Sequence, residues 1–255
     1  MKIKTVTWNV GGAKLLQEDA DHTLLASYSV EGIDKIVDWL RKESPDIITL
    51  QETQKNDEND QVATIAQKMG YEYFYHDSTS ESHIDKGYSL GHAIISRYPL
   101  SDHETGFFNN PNVEVEWEDG SIAKSFDKGF STCRASIGDV GLSLTTLHLI
   151  PFRRFNIEMD SELASTILDN IQESLSARTE KWIIQGDFNI DSNSLASYLP
   201  KLFSQGFSEV DISEPTTPKG HKYDHILYRH VNLLNYRIDP DVLTDHFPVI
   251  VELEI

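Results

Sequence analysis

Cysteine occurs once, at Cys133, so no disulfide can form within the chain and non-covalent packing must hold the fold. That usage fits a reducing compartment. No apolar run approaches the roughly 20 residues that cross a bilayer as a helix. The opening stretch MKIKTVTWNV carries lysines but no apolar segment of signal-peptide length, and a cytoplasmic location is expected. Neither CxxC nor HExxH occurs, so the usual zinc-site spellings are absent. Positive charge is scarce: 22 Lys and Arg face 41 Asp and Glu, a net charge of −19. This excludes a broad basic face of the kind that grips nucleic acid, but leaves open a phosphate met through a metal ion. Internal repeats, low-complexity tracts and Gly/Ser/Pro-rich linkers are also missing, which favours one continuous domain over 1–255.

What is present is an alternation of strand and helix signals over 255 residues, 39% of them hydrophobic, enough to build the core of an α/β domain. IKTVTWNV (3–10) alternates and is rich in β-branched residues, so it reads as a strand ending at Asn9. Ile33, Ile36, Val37 and Leu40 have helical spacing, and that helix stops before Pro45. DIITLQE (46–52) is a second strand, and a polar helix over 58–69 is closed by Gly70. Strands follow at 71–76 and 91–97, separated by a long polar loop, DSTSESHIDKGYS. The segment NVEVEWEDGSIAKSF reads as a hairpin turning at Asp119-Gly120. STCRASI and LSLTTLHL pair across Gly138-Asp139, and the longest helix is expected over about 155–177. KWIIQGDFN, a short helix near 194–204, and strands at 222–229 and 247–255 complete the chain. At least eight strands, many in hairpin order, and about four helices predict an α/β (α+β) fold with mixed sheets.

The polar residues fall in a pattern. Five apolar strands carry them at one end: Asn9, Glu52, His148, Asp187 with Asn189, and Asp245-His246. A sixth carries Asp224 near its start. Any one of these reads alone as a turn residue, a solvated acid or a core histidine, but the ordered set is coherent chemistry. Asn, Glu and Asp offer hard oxygen ligands that suit Mg²⁺, Mn²⁺ or Ca²⁺. Asp187 and Asn189 are expected on one face of extended chain, one handling water and the other the attacked group. His148 and His246 can donate protons to an oxyanion, with Asp224 orienting one of them. The D-x-H then G-D-x-x-D spelling of another phosphoesterase class fails, because Ile190 stands three residues after Asp187.

The ordered pieces TWNV (7–10), DIITLQET (46–53), AIISRYPL (93–100), LTTLHL (144–149), IIQGDFNI (183–190), KYDHIL (222–227) and LTDHFPVIVEL (243–253) resemble the endonuclease/exonuclease/phosphatase family, the DNase-I-like enzymes. The resemblance implies a four-layer α/β/β/α sandwich of two mixed β-sheets flanked by helices, with the site at one edge. It implies Glu52 as main Mg²⁺ (or Mn²⁺) ligand, with Asn9 and Asp245 on the metal side. Asp187 then positions or activates water, and Asn189 supports phosphate and nucleophile. His246, held by Asp224, stabilises the transition state, and His148 contacts the scissile phosphate. Two departures touch specificity: His92 stands where many relatives carry Asn, and His225 where many carry Tyr. Arg153 and Arg154 either clamp a neighbouring phosphate or form a solvated helix start.

The implied activity is that of a metal-dependent phosphodiesterase, first of all a DNA endo- or exonuclease. Arg153, Arg154, Lys219, Lys222 and Arg229 are then candidate backbone contacts. The alternative keeps the chemistry on a lipid head group, nucleotide or other small phosphoester, as in sphingomyelinases or inositol phosphatases. The charge of −19 favours that reading, and Phe107-Phe108 in ETGFFNN is its one hint of a membrane-facing hairpin. A binding module without turnover is opposed by the intact polar set. A monomer is expected, with a phosphodiester, nucleic acid above all, as its partner.

Overall fold

In the computed structural model, which describes residues 1–116, 122–175 and 180–255, the first strand runs from Lys2 to Asn9 as β1. A small hairpin of β2 (Lys14–Leu16) and β3 (Tyr28–Glu31) precedes α1 (Ile33–Glu43) and β4 (Ile47–Lys55). Next come α2 (Gln61–Met69), β5 (Tyr73–Glu81), β6 (Ser89–Ser96), β7 (Leu100–Phe107), β8 (Glu114–Glu116) and β9 (Ile122–Lys124). The middle of the chain forms β10 (Gly129–Ile137), β11 (Val140–His148), α3 (Glu162–Ser174) and β12 (Trp182–Asp187). It closes with α4 (Pro200–Ser204), β13 (Ser208–Glu209), β14 (Asp224–Arg229), β15 (Asn232–Ile238) and β16 (Val249–Glu254).

Two six-stranded sheets result, in the orders β15–β16–β1–β4–β6–β5 and β13–β14–β12–β11–β10–β7. Each contains one parallel pair, β1/β4 and β11/β12, among antiparallel neighbours. A parallel pair needs a crossover, and here the crossovers carry α1 and α3. Ile36, Val37 and Leu40 of α1, with Val62 and Ile65 of α2, pack on Val6, Trp8, Ile48 and Leu50, outside the first sheet. Ile167, Leu168 and Ile171 of α3 pack on Leu147, Trp182 and Ile184, outside the second. The inner faces meet through Ile3, Ile47, Leu144, Ile183, Ile226, Val249 and Val251. The four layers are therefore helix, sheet, sheet and helix, as the resemblance implies.

Differences from the sequence expectation lie at edges and helix ends. The loop expected at 77–89 shrinks because β5 extends to Glu81, paired with β6. β5 is an edge strand with half-exposed side chains, so polar residues suit it and hide its strand pattern. β7 and β15, also edge or near-edge strands of mixed exposure, gave no alternation to read. α3 begins only at its N-cap Ser161, because 152–155 form a 3₁₀ turn ended by Asn156 at φ 53°. The expected helix at 194–204 contracts to α4. Gly70 does close α2, at φ 72°. β8 and β9 pair as the expected hairpin, whose Asp119-Gly120 turn lies outside the described residues.

Candidate active site

The parallel pairs bring their carboxyl-terminal ends to the same edge of the sandwich. Register places His148 of β11 beside Asp187 of β12, and Asp187 beside Asp224 of β14. β11 and β12 approach closely here: a Cβ on Gly186 would lie 2.2 Å from the Leu147 carbonyl oxygen, so only glycine fits. Asp187 thus ends β12 as a buried carboxylate between two other polar side chains.

Asn189 reaches the site differently from the sequence expectation. The chain does not continue extended past Asp187; Asn189 is left-handed at φ 52°. Its backbone N–H donates to Asp187 Oδ1 at 2.8 Å, and its side-chain amide donates to the Leu149 carbonyl at 2.9 Å. The two residues are neighbours through a turn, not through strand alternation, and the turn locks the carboxylate.

Glu52 sits at a β-bulge where the pairing of β4 with β6 shifts between Gln51 and Thr53. Its φ is 54°, a conformation costing roughly 1–2 kcal/mol for a residue with a side chain. The bulge turns Glu52 toward the strand-end cluster while Gln51 stays buried between the sheets. Asn9 bridges the two sheets, its amide donating to Asp187 Oδ2 at 3.0 Å and lying near enough to Glu52 to favour its ionised form. Its oxygen accepts from Gly11 N at 3.0 Å. Asn9 therefore holds the carboxylates, with most of its own hydrogen-bonding capacity already in use.

Asp245 and His246 lie before β16 in a loop tied down by Trp8, whose Nε1 donates to Thr244 Oγ1 and to the His246 carbonyl at 3.0 and 3.1 Å. His246 Nδ1 is 2.8 Å from Asp224 Oδ2, and its Nε2 is 3.7 Å from Asp187 Oδ2. His148 Nε2 lies 3.4 Å from the same Asp187 oxygen and 3.8 Å from Glu52 Oε1. Asn9, Glu52, His148, Asp187, Asn189, Asp224, Asp245 and His246 therefore converge on one cluster.

Electrostatics separate their roles. Burial alone would lower the His246 pKa, but Asp224 and Asp187 outweigh it and hold the imidazolium well above 6.5. His148 goes the other way: burial and the charges of Lys128 and His246 keep it neutral. Burial, with Asp224 adding repulsion, pushes Asp187 up to about 7, and burial with Glu52 nearby pushes Asp245 up to about 6. Burial also opposes ionisation of Glu52, yet His83, Lys128 and His246 overcome it and lower its pKa. The cluster thus holds a charged imidazole, a neutral imidazole, a carboxyl that titrates near neutrality and an ionised carboxylate side by side.

The donor set fits a divalent cation. Among the described residues Asp245 Oδ1 and Asp224 Oδ1 are buried without a hydrogen-bond partner, and Glu52 is ionised. All are hard oxygens of the type that bind Mg²⁺ or Mn²⁺. Among the described residues no group of three or more His, Cys, Asp or Glu is placed to hold a metal ion, so the fit is one of ligand chemistry.

Three sequence expectations change. His92 is 1% exposed, and its charge is opposed by burial, with a pKa lowered to about 4. It lies beneath the cluster and cannot touch a substrate. Lys222 and Arg229 are buried as well, Lys222 donating to the Asn193 carbonyl and Arg229 lying over Trp182 and Phe207, so neither is a surface contact. Phe108 packs in the core and only Phe107 is exposed, which removes the apolar hairpin. Arg153 does reach the rim, 3.3 Å from His221 Nε2, whose Nδ1 is 2.7 Å from Asp191. Arg154 lies within electrostatic reach of Glu52, and Lys219 of Asp245.

Other site residues carried no legible signal. Lys128 precedes β10 in an ordinary loop spelling, FDKGF, yet its Nζ is 3.1 Å from both ring nitrogens of His148. His83 stacks on Phe126 with ring centroids 5.1 Å apart and bears on Glu52. Tyr223 stacks on His221 and leans on His246 at 6.3 Å.

The chain matches the Endonuclease/Exonuclease/phosphatase family over residues 6–246. No curated protein sequence is significantly similar to it. Among solved structures it is similar to an endonuclease/exonuclease/phosphatase from Beutenbergia cavernae, with TM-score 0.73 and 16% identity over 100% of this chain and 72% of that one. It is similar to D. rerio TDP2 complexed with single-strand DNA product, with TM-score 0.64 and 16% identity over 100% and 99%. It is also similar to the 3′ phosphatase NExo from Neisseria bound to a product DNA hairpin, with TM-score 0.60 and 17% identity over 99% and 100%. Among the described residues no helix is long and apolar enough to cross a membrane.

Proposed function

Because this chain belongs to the endonuclease/exonuclease/phosphatase family, whose members are phosphoester hydrolases, we propose that it is an Mg²⁺- or Mn²⁺-dependent phosphodiesterase acting on DNA as an endo- or exonuclease. The observation that carries this reading is the row Asp224–His246–Asp187–His148, with Asn9 tying Asp187 across to the Glu52 sheet. Glu52 and Asp245 would hold the cation, which would supply Lewis-acid polarisation of a phosphoryl oxygen. Asp187, held by Asn9 and the Asn189 N–H, orients the attacking water and accepts its proton as the water oxygen bonds to phosphorus, while the ester P–O bond breaks and the leaving oxygen departs with its electron pair and takes a proton from solvent. His246 donates from Nε2 to the charge building on the phosphoryl oxygens, with Asp224 fixing Nδ1–H. Neutral His148 binds the phosphate from the other side of Asp187. Asn189, locked by the turn, supports phosphate and nucleophile, and Arg153 reaches a neighbouring phosphate at the rim.

DNA is favoured because two structural neighbours hold DNA products. The net charge of −19 favours the second reading, a nucleotide or other small phosphoester. Incubation with Mg²⁺ or Mn²⁺ and a panel of plasmid, single-stranded DNA, RNA, sphingomyelin, inositol phosphates and a bis-aryl phosphodiester tests both. Turnover of DNA above the others is expected; turnover of none of them, with metal bound, contradicts the proposal.

A further inference from the structure

One ammonium group is buried against the strand-end cluster with no carboxylate of the described residues hydrogen-bonded to it. Lys128 is 8% exposed, and its Nζ lies 3.1 Å from Nδ1 and 3.1 Å from Nε2 of His148. Nζ lies at the same distance from both ring nitrogens, so it is not seated on one of them alone. A neutral imidazole has one acceptor nitrogen, whereas an ammonium has three donors. Among the described residues, at least two Nζ donors therefore lack a protein acceptor. Burial lowers the Lys128 pKa below its ordinary value, and Glu52 and Asp187 lie close enough to oppose that in part. A buried donor left over in this way points to a ligand acceptor.

The lysine is held in place. Phe108 N donates to the Lys128 carbonyl at 2.8 Å. Next to it, Gly129 packs so tightly that a Cβ would lie 2.1 Å from the Gly106 carbonyl oxygen. Gly129 also pairs in register with His148, which sets Lys128 at the level of that imidazole. On the other flank Phe126 is stacked on His83. This is not a surface lysine folded inward by chance.

We propose that Lys128 is a phosphate-binding catalytic residue, its Nζ donating to a non-bridging oxygen of the scissile phosphate on the His148 side of the cluster. The inference rests on the phosphoesterase reading and adds a phosphate donor that does not depend on metal. Such a donor strengthens its hold as the phosphoryl oxygens gain negative charge at the transition state. The competing role is charge balance alone, in which Lys128 only offsets Glu52 and Asp187.

Titration calorimetry on the full chain with Mg²⁺ alone, and with inorganic phosphate in the presence of Mg²⁺, separates the two roles. Lys128→Met keeps the stem and removes the charge; Lys128→Arg keeps the charge. The Met variant is expected to bind inorganic phosphate about tenfold more weakly and to lose roughly 100-fold in kcat on the phosphodiester. It should bind Mg²⁺ as tightly as wild type or more so, because a repelling charge is gone. The Arg variant should recover part of the phosphate affinity, and thermal melts check that both variants fold. If the Met variant fails to fold, the comparison of Arg and Gln variants decides in the same way. Wild-type phosphate affinity and kcat in the charge-free variant, with only Mg²⁺ affinity altered, overturn the proposal in favour of charge balance. A wild-type protein that binds no phosphate and turns over no phosphodiester overturns the phosphoesterase reading and this proposal with it.

Discussion

The space between the two sheets has two unlike halves. Away from the cluster, Ile3, Ile47, Leu142, Leu144, Ile183, Val251 and Leu253 close it with hydrocarbon. Toward the strand ends it is threaded by amides and hydroxyls. Gln185 of β12 donates to Thr5 of β1, to Thr49 of β4 and to the Val6 carbonyl, while Gln51 of β4 donates to Thr7 and to Thr146 of β11. Packed hydrocarbon is non-directional, and a buried hydrogen bond adds only about 1 kcal/mol net. The polar half therefore gives up burial energy and gains fixed register between sheets. That register is what sets Asn9 against Asp187 and Glu52 against His148. The difference assigns stability to one half and alignment of the cluster to the other.

The largest expected effect lies at the end of the polar half. His246→Ala should cost roughly 10³-fold in kcat/KM, read in steady-state assays on whichever phosphodiester the wild type turns over, in a protein that still folds but melts lower because buried Asp224 loses its partner. The apolar half should answer in the opposite currency. Leu144 is 1% exposed, and Leu144→Ala should cost about 2–5 kcal/mol in urea unfolding with kcat unchanged per folded molecule. A large loss of kcat there would erase the distinction.

The next effect depends on pH. His92 has a pKa of about 4 in the folded protein against an ordinary 6.5, because it is buried. Between those values the unfolded chain binds the proton and the folded chain does not. Stability therefore rises with pH through the window and is lost as pH falls from about 6.5 to 4. At 1.36 kcal/mol per unit the contribution is about 3 kcal/mol. His92→Asn should flatten urea-unfolding stability over this range; an unchanged pH dependence contradicts the burial argument. The smallest expected effect is Gln185→Leu, costing about 1–2 kcal/mol and lowering kcat more than it changes KM. An effect on stability alone would mean the polar half has no aligning role.

The cluster was largely legible because its members stand at the ends of strongly apolar strands. Asn9, Glu52, His148 and Asp187 mark where buried strands stop, and a local pattern reveals that. Asp224 and His246 needed only the neighbouring strands β14 and β16. What local pattern could not reveal was placement made by tertiary packing. Lys128 is set beside His148 by the antiparallel register of β10 with β11, which pairs Gly129 with His148. His92 lies on an apolar strand like His148, yet only its position within β6 decides that it is buried beneath the cluster. Asn189 joins Asp187 through a left-handed turn that its two-residue spacing disguised as strand alternation. The edge strands β5, β7 and β15 were obscured or missed because half-exposed edges do not alternate cleanly.

The central claim is that Asp187, at the meeting point of the two sheets, handles the attacking water. Phosphodiester hydrolysis with saturating Mg²⁺ by wild type and Asp187→Ala, with thermal melts of both, tests it most directly. Asp187 is a buried acid whose ionisation burial opposes. The expected result is therefore a loss of at least roughly 10³-fold in kcat with a melting temperature equal to or above that of wild type. Full activity in Asp187→Ala would contradict the account.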